Sequence, residues 1–310
     1  MCPAPIRLSR RSLLTLTGAV VGLARVVPAA AASPRPWGTR PAVADAARQT
    51  SVRSGSLGAR VRTVPLSATL DHPQGIAASV DGATWYVSAV LRKEQKGVLA
   101  SFRASDGSLL QRVEVQEGPC YHPGGFGRLG DVLWLPVAEY RRASTSVIQA
   151  RDARTLALQS RFAVADHIGA VALTGSTVIG CNWDARLFYE WAPDGTEAQK
   201  VEHLGAARYQ DLHWTGQVLL AGGLLGDDGV IDTLEWPSLD LVERIVVGKT
   251  DRGVVLTHEG MTVAGREVLL MPEDDPSRVF VHTWTGAAVV EPTPRNTTEP
   301  ETSLFKKPRP

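Results

Sequence analysis

Four of the seven histidines in this 310-residue chain fall at one phase of a repeat, and imidazole is the side chain best suited to move protons or hold a metal near neutral pH. They occur in Asp71-His72-Pro73-Gln74-Gly75, Tyr121-His122-Pro123-Gly124-Gly125, Asp166-His167-Ile168-Gly169-Ala170 and Thr257-His258-Glu259-Gly260-Met261. A fifth segment, Tyr209-Gln210-Asp211-Leu212-His213, carries Gln210 at the marker position and a histidine three residues later. Three readings stand side by side. His72, His122, His167 and His258 could ligate one divalent ion of open identity, since imidazole suits zinc, copper, iron or nickel and nearby carboxylates suit manganese or calcium. Alternatively, His122 and His258, with Glu259 and Glu139 as partners, could do acid–base work without a metal. In the third reading the ring only ties loops together by hydrogen bonds. Covalent serine catalysis is not expected, because no G-x-S-x-G stands in a strand–turn–helix context.

The elements that position these residues follow from the period. The markers at 72, 122, 167, 210 and 258 recur every 43 to 50 residues, the interval of a four-stranded propeller blade. Each marker precedes a short apolar run, a turn such as Asp81-Gly82 or Ala264-Gly265, and a second, more apolar run. The last repeat lacks a fourth strand, whereas residues 61–66 form a strand with no blade of its own. The expectation is therefore an all-β, five-bladed β-propeller, closed by this N-terminal strand as the outer strand of the last blade, which hides the sheet edges.

In such a fold the markers ring one mouth of the channel, and the loops after each second strand stand over it. Those loops bring Arg92, Lys93, Glu139, Tyr140, Asn182, Trp183, Arg186, Asp227, Asp228 and the run Glu273-Asp274-Asp275, which could help bind a cation. Substrate contacts are expected from Arg186, as an anion clamp, and from Asn182, Trp183, Tyr140, Gln210 and Asp211. The glycines after the markers are expected to let backbones approach closely at a crowded axis. Trp85, Trp134, Trp191 and Trp236 are expected to pack between blades.

The phrases His122-Pro123-Gly124-Gly125, Asp166-His167-Ile168-Gly169, Tyr209-Gln210-Asp211 and His258-Glu259-Gly260-Met261 resemble a family of uncharacterised bacterial secreted propeller-type proteins. The likeness covers nearly all of the propeller region and implies the fold, without an activity to carry over. More loosely, the blades are similar to those of secreted propeller hydrolases and lyases, and fold does not imply function.

Outside the propeller, expected at 59–290, the chain reads differently. Ser9-Arg10-Arg11-Ser12-Leu13-Leu14, a short apolar stretch and the run Ala29-Ala30-Ala31-Ala32 form a twin-arginine signal peptide over 1–32, which places the protein outside the cytoplasm. That route exports folded proteins, a hint of a cofactor loaded inside the cell. Residues 33–58 and 291–310 read as a disordered linker and a disordered Pro-rich tail. Cleavage removes four arginines and no acid, leaving 29 basic against 32 acidic residues. With no basic block among the blades, nucleic-acid binding is not expected. No lipobox cysteine follows the apolar stretch, so no membrane anchor is expected. Cys120 and Cys181 could form a disulfide or remain buried thiols. The functional expectation is a monomeric exported propeller with a small-molecule site at the channel mouth, a metal-dependent hydrolase or lyase. Its rival is a non-catalytic module that binds an extracellular ligand or protein on the same face.

Overall fold

The computed structural model describes residues 52–290 together with 292 and 293. The expected signal peptide, most of the linker and most of the tail lie outside these described residues. Five sheets surround one axis as the blades of a β-propeller. The first blade runs outward as His72–Ala78, Thr84–Leu91, Lys96–Arg103 and Leu109–Glu114. Its outer strand alternates between exposed and half-buried positions, while the next two strands inward are buried almost throughout. That is the pattern of a sheet covered on both faces near the axis and wet at the rim.

The core lies between blades. Each of the five hydrophobic clusters among the described residues joins two neighbouring sheets. Trp85 packs between the fifth and first blades, Trp134 and Trp191 between the second and third, and Trp236 against the seam of the third and fourth. The ring closes as the repeat count requires. Arg60–Pro65 pairs antiparallel with Arg278–Thr283 and completes the fifth blade from the N-terminal side.

One feature departs from the sequence expectation, and one alternative that the sequence leaves open is decided. The linker anticipated through residue 58 contains a strand, Arg53–Ser56, which lies parallel on Leu241–Val247 as a fifth strand of the fourth blade. The outer edge of that sheet offers unpaired backbone groups, and this short polar segment satisfies them. Cys181 is a free buried thiol, so a Cys120–Cys181 disulfide does not form.

At the axis the inner strands nearly touch. A Cβ on Gly124 would stand 2.0 Å from the carbonyl oxygen of Gly169, and one on Gly75 would stand 2.8 Å from the Cα of Gly125. Asp211 sits in this layer, fully buried. Its carboxylate accepts the backbone N–H of Ile76 (3.3 Å), Met261 (3.0 Å) and Leu212 (2.9 Å), tying the first, fourth and fifth blades. Burial pushes its pKa well above the ordinary carboxylate range, against the pull of those three donors. The layer separates an upper mouth from a lower funnel, which share no lining residue.

Two predictions follow from closure and from the axial layer. Val64 is buried in the seam between the last and first blades, whereas Val61 on the same strand is 52% exposed. Val64→Asp should therefore lower unfolding stability by about 3 kcal/mol or more, and Val61→Asp by less than about 0.5 kcal/mol, in urea titrations. Asp211→Ala strands three buried N–H groups, at about 1–3 kcal/mol each, and should lower stability by about 3 kcal/mol or more on the same measurement.

Candidate functional site

The inner strands begin at the upper mouth, and four of the five carry a register shift there: between Pro73 and Gly75, Cys120 and His122, Ile168 and Ala170, and Tyr209 and Asp211. Bulges re-aim side chains where a strand meets a site. The result is a pocket of about 200 Å³. His72, His122, His167 and His258 line it with Gln210, so all five markers reach one space. The loops above add Tyr140, Trp183 and Asp184.

The histidine ring is divided into two halves. On one side His122 Nδ1 lies 3.3 Å from His167 Nε2, and His167 Nδ1 lies 2.9 Å from the carbonyl oxygen of Arg141. Burial, with His167 and His72 beside it, holds the His122 pKa well below its ordinary value, and burial brings His167 down to about 4. Both rings are therefore neutral at pH 7. His122 stacks on Tyr140 at 4.4 Å between centroids, and Trp183 lies 4.5 Å from His167 and 5.9 Å from His122. This half is an aromatic wall.

On the other side the groups gather on Glu259, which is 2% exposed. Its Oε1 lies 2.9 Å from His258 Nδ1 and 4.0 Å from His72 Nδ1, and its Oε2 accepts from Gln74 Nε2 at 3.0 Å. His72 Nδ1 also lies 2.8 Å from Glu273 Oε2, and Gln74 Nε2 reaches His72 Nε2 at 2.9 Å. Burial raises the Glu259 pKa, and the adjacent carboxylate raises that of His258. Ligand atoms of His72, Glu259 and Glu273 all lie within 4.8 Å of one another.

Among the described residues this is the one group of three or more metal-ligating side chains so gathered, which revises the expected ligand set. His122, His167 and His258 line the same pocket but do not join it, because the first two are turned toward each other and the third toward Glu259. One imidazole and two carboxylates are a donor set that borderline divalent ions accept, and three protein ligands leave positions open for water or substrate.

Several residues anticipated at the site do other work. The Glu139 carboxylate is held by Arg141 Nε (2.9 Å) and Thr145 Oγ1 (3.0 Å), and Arg141 keeps its pKa below the usual range. It closes its own loop and does not line the pocket. Arg186 donates to the carbonyl oxygens of Asp184, Gly205 and Ala207, so its guanidinium tethers loops and does not face the pocket. Asp211 lies in the axial layer below. Asn182 borders the pocket, yet its Oδ1 accepts the N–H of Arg186 and Leu187, both at 2.9 Å, and its amide donates to Asp166. Of the run after the fifth blade's second strand, Glu273 turns to the ring, while Asp274 is buried against Arg252 and Arg278. Gln74 is the residue that sequence reasoning missed. It is the extra residue of the bulge between Pro73 and Gly75, which a period-two reading does not place.

A groove of about 660 Å³ opens beside the pocket, bordered by Arg92, Lys93, Val254 and Asp275 and sharing His258 and Glu273 with the ring. Arg92 pairs with Glu273 and donates to the carbonyl oxygen of Asp71 at 2.9 Å.

Comparison with known proteins agrees with this architecture. The chain is similar to a glutaminyl cyclase from Myxococcus xanthus, with a TM-score of 0.56 at 12% identity, over 75% of this chain and 100% of that one. It is also similar to a luciferin-regenerating enzyme (TM-score 0.44, 8% identity, 75% and 99% of the two chains). BamB from Moraxella catarrhalis is a third likeness (TM-score 0.38, 13% identity, 71% and 61%). At such identities the first likeness shows the fold alone. A comparison with curated proteins gave no match. The model of a family of unknown function, DUF6454, matches residues 50–226, more than half of the sequence, and the chain belongs to that family.

Proposed function

We propose that the upper mouth is the small-molecule site of an exported, monomeric hydrolase or lyase that holds one divalent ion on His72, Glu259 and Glu273. The observation that supports this most is the approach of those three ligand atoms to within 4.8 Å where the pocket meets the groove beside it. A bound ion would polarise a substrate carbonyl or phosphoryl oxygen, or acidify a water. The protein's own residues do the rest. Gln74 fixes both His72 and Glu259. His258, 40% exposed beside Glu259, is the group best placed to exchange a proton with a bound substrate. Tyr140, His122 and Trp183 offer flat apolar faces to the substrate's body. The groove past His258 gives room for a longer substrate or a leaving group. Export of the folded protein by the twin-arginine route fits an ion loaded in the cytoplasm.

The His122–His167 pair favours a structural role for its own half of the ring, because its nitrogens are bonded to each other and to the Arg141 carbonyl. The two halves therefore make separable predictions. Protein purified without chelator should carry near-stoichiometric zinc or manganese by elemental analysis, or bind either ion in calorimetry. Glu273→Gln and His72→Ala should weaken that binding at least tenfold. His167→Gln should retain the ion and lower the melting temperature. A wild-type protein that binds neither ion, or Glu273 and His72 variants that bind as wild type does, would return the mouth to a metal-free ligand-binding module.

A further inference from the structure

The bonds that tie His122 to His167 also decide where the protons of the pair sit, and they leave one nitrogen over. Around His167 Nδ1 stand the carbonyl oxygen of Arg141 at 2.9 Å and Ser144 Oγ at 3.2 Å. A carbonyl oxygen only accepts, so His167 Nδ1 carries the proton. Burial keeps both rings neutral near pH 7. The lone pair of His167 therefore falls on Nε2, which faces His122 Nδ1 at 3.3 Å. That contact needs a proton from His122 Nδ1, and the lone pair of the His122 ring is left on its own Nε2.

His122 is 7% exposed, and its ring lines the upper pocket. Its Nε2 makes no hydrogen bond among the described residues. Unlike His213 Nε2 and His282 Nε2, which are sealed in the interior without a partner, it keeps an opening to the pocket. An acceptor on so buried a ring is unfavourable until a donor reaches it. The relay through His167 to the Arg141 carbonyl fixes both the plane of the ring and its tautomer.

The rest of the lining narrows the ligand. Among the described residues no lysine or arginine borders the pocket, so a carboxylate or phosphate oxygen at this wall would meet a lone pair with no cation to offset it. Tyr140 stacks on His122 at 4.4 Å between centroids and offers a flat, partly open ring beside the acceptor. The Gln210 side chain borders the same pocket and makes no hydrogen bond among the described residues, which leaves its amide to a ligand's oxygen.

We propose that His122 Nε2 is the specificity-determining acceptor of the upper site. It selects flat, uncharged molecules that present an N–H or O–H group, and His167 is the positioning residue that keeps it an acceptor. This inference rests on the mouth being a small-molecule site and does not require the ion. A site that hydrogen-bonds a donor rejects the analogue lacking it far more strongly than a site that only packs against it.

The probes are two matched pairs, phenol with anisole and benzamide with N,N-dimethylbenzamide, titrated into the full protein. The readout is the imidazole ¹H–¹⁵N spectrum, with His122 assigned by the loss of its signals in His122→Phe. Before any probe is added, His122 should carry a proton on Nδ1 and none on Nε2. Phenol or benzamide should then move the Nε2 resonance saturably, and its methylated partner should bind at least tenfold more weakly. A response to phenol alone assigns hydroxyl compounds, and a response to benzamide alone assigns amides. His167→Phe, which offers Nδ1 no acceptor, should let the proton move to Nε2 and abolish the preference, and His167→Gln should restore both. Dialysis against EDTA should change neither the tautomer nor the preference, so failure of the ion reading and failure of this inference are told apart. A proton on His122 Nε2 in the wild-type protein, no response to either donor, or equal binding of the methylated partners overturns the proposal. These three outcomes are read on the wild-type protein, so a variant that fails to fold does not obscure them.

Discussion

The structure depends on how five sheets can meet at a line. Strands that converge on an axis bring their backbones closer than side chains permit, and glycines at 75, 124 and 260 remove the obstruction. Close approach then leaves buried backbone donors at the axis that need an acceptor. Asp211 answers for three of them at once, from the first, fourth and fifth blades. A buried carboxylate is unfavourable by itself, and it is retained here because it satisfies three donors that would otherwise be orphaned. The same layer sets the depth of both mouths, so the pocket above and the funnel below are by-products of closing the ring.

Much of the fold was legible because a repeat multiplies a weak signal. One His-Pro-Gly phrase says little, but five markers at near-constant spacing fix the blade number and the phase of the inner strands, and the homeless strand at 61–66 points to the closure. Placing the markers at one mouth followed from phase alone. Which way each side chain turns did not. Glu139 and Arg186 sit in the expected loops, yet both are consumed by neighbours two residues away, Arg141 and Asp184, in contacts that no periodicity encodes. Asp211 is one residue from the marker Gln210, and the bulge there sends Gln210 to the mouth while Asp211 enters the axial layer. The strand at Arg53–Ser56 is polar and short, and only the edge waiting for it makes it a strand.

Electrostatics explain why the ring splits. Glu259 is buried beside imidazoles and Gln74, without a lysine or arginine partner among the described residues, so its half of the ring favours positive charge. Among the described residues neither the His122 nor the His167 ring is hydrogen-bonded to a carboxylate, and burial holds both neutral. Four residues at equivalent repeat positions thus enter two different environments. The difference arises from the residue that follows the marker, or the loop that covers it, which is where the repeats diverge.

The N-terminal chain is stitched into the two final blades: Arg53–Ser56 onto the fourth and Arg60–Pro65 onto the fifth. Those partners are made last, some two hundred residues after the segment that must clasp them. During synthesis the first blade therefore waits with one flank uncovered, and the apolar face that Phe102 and Trp85 later share with Met271 and Val279 has no cover until the final sheet emerges. Single blades can form as the chain emerges, but the ring closes only once Arg278–Thr283 has been made and can pair with Arg60–Pro65.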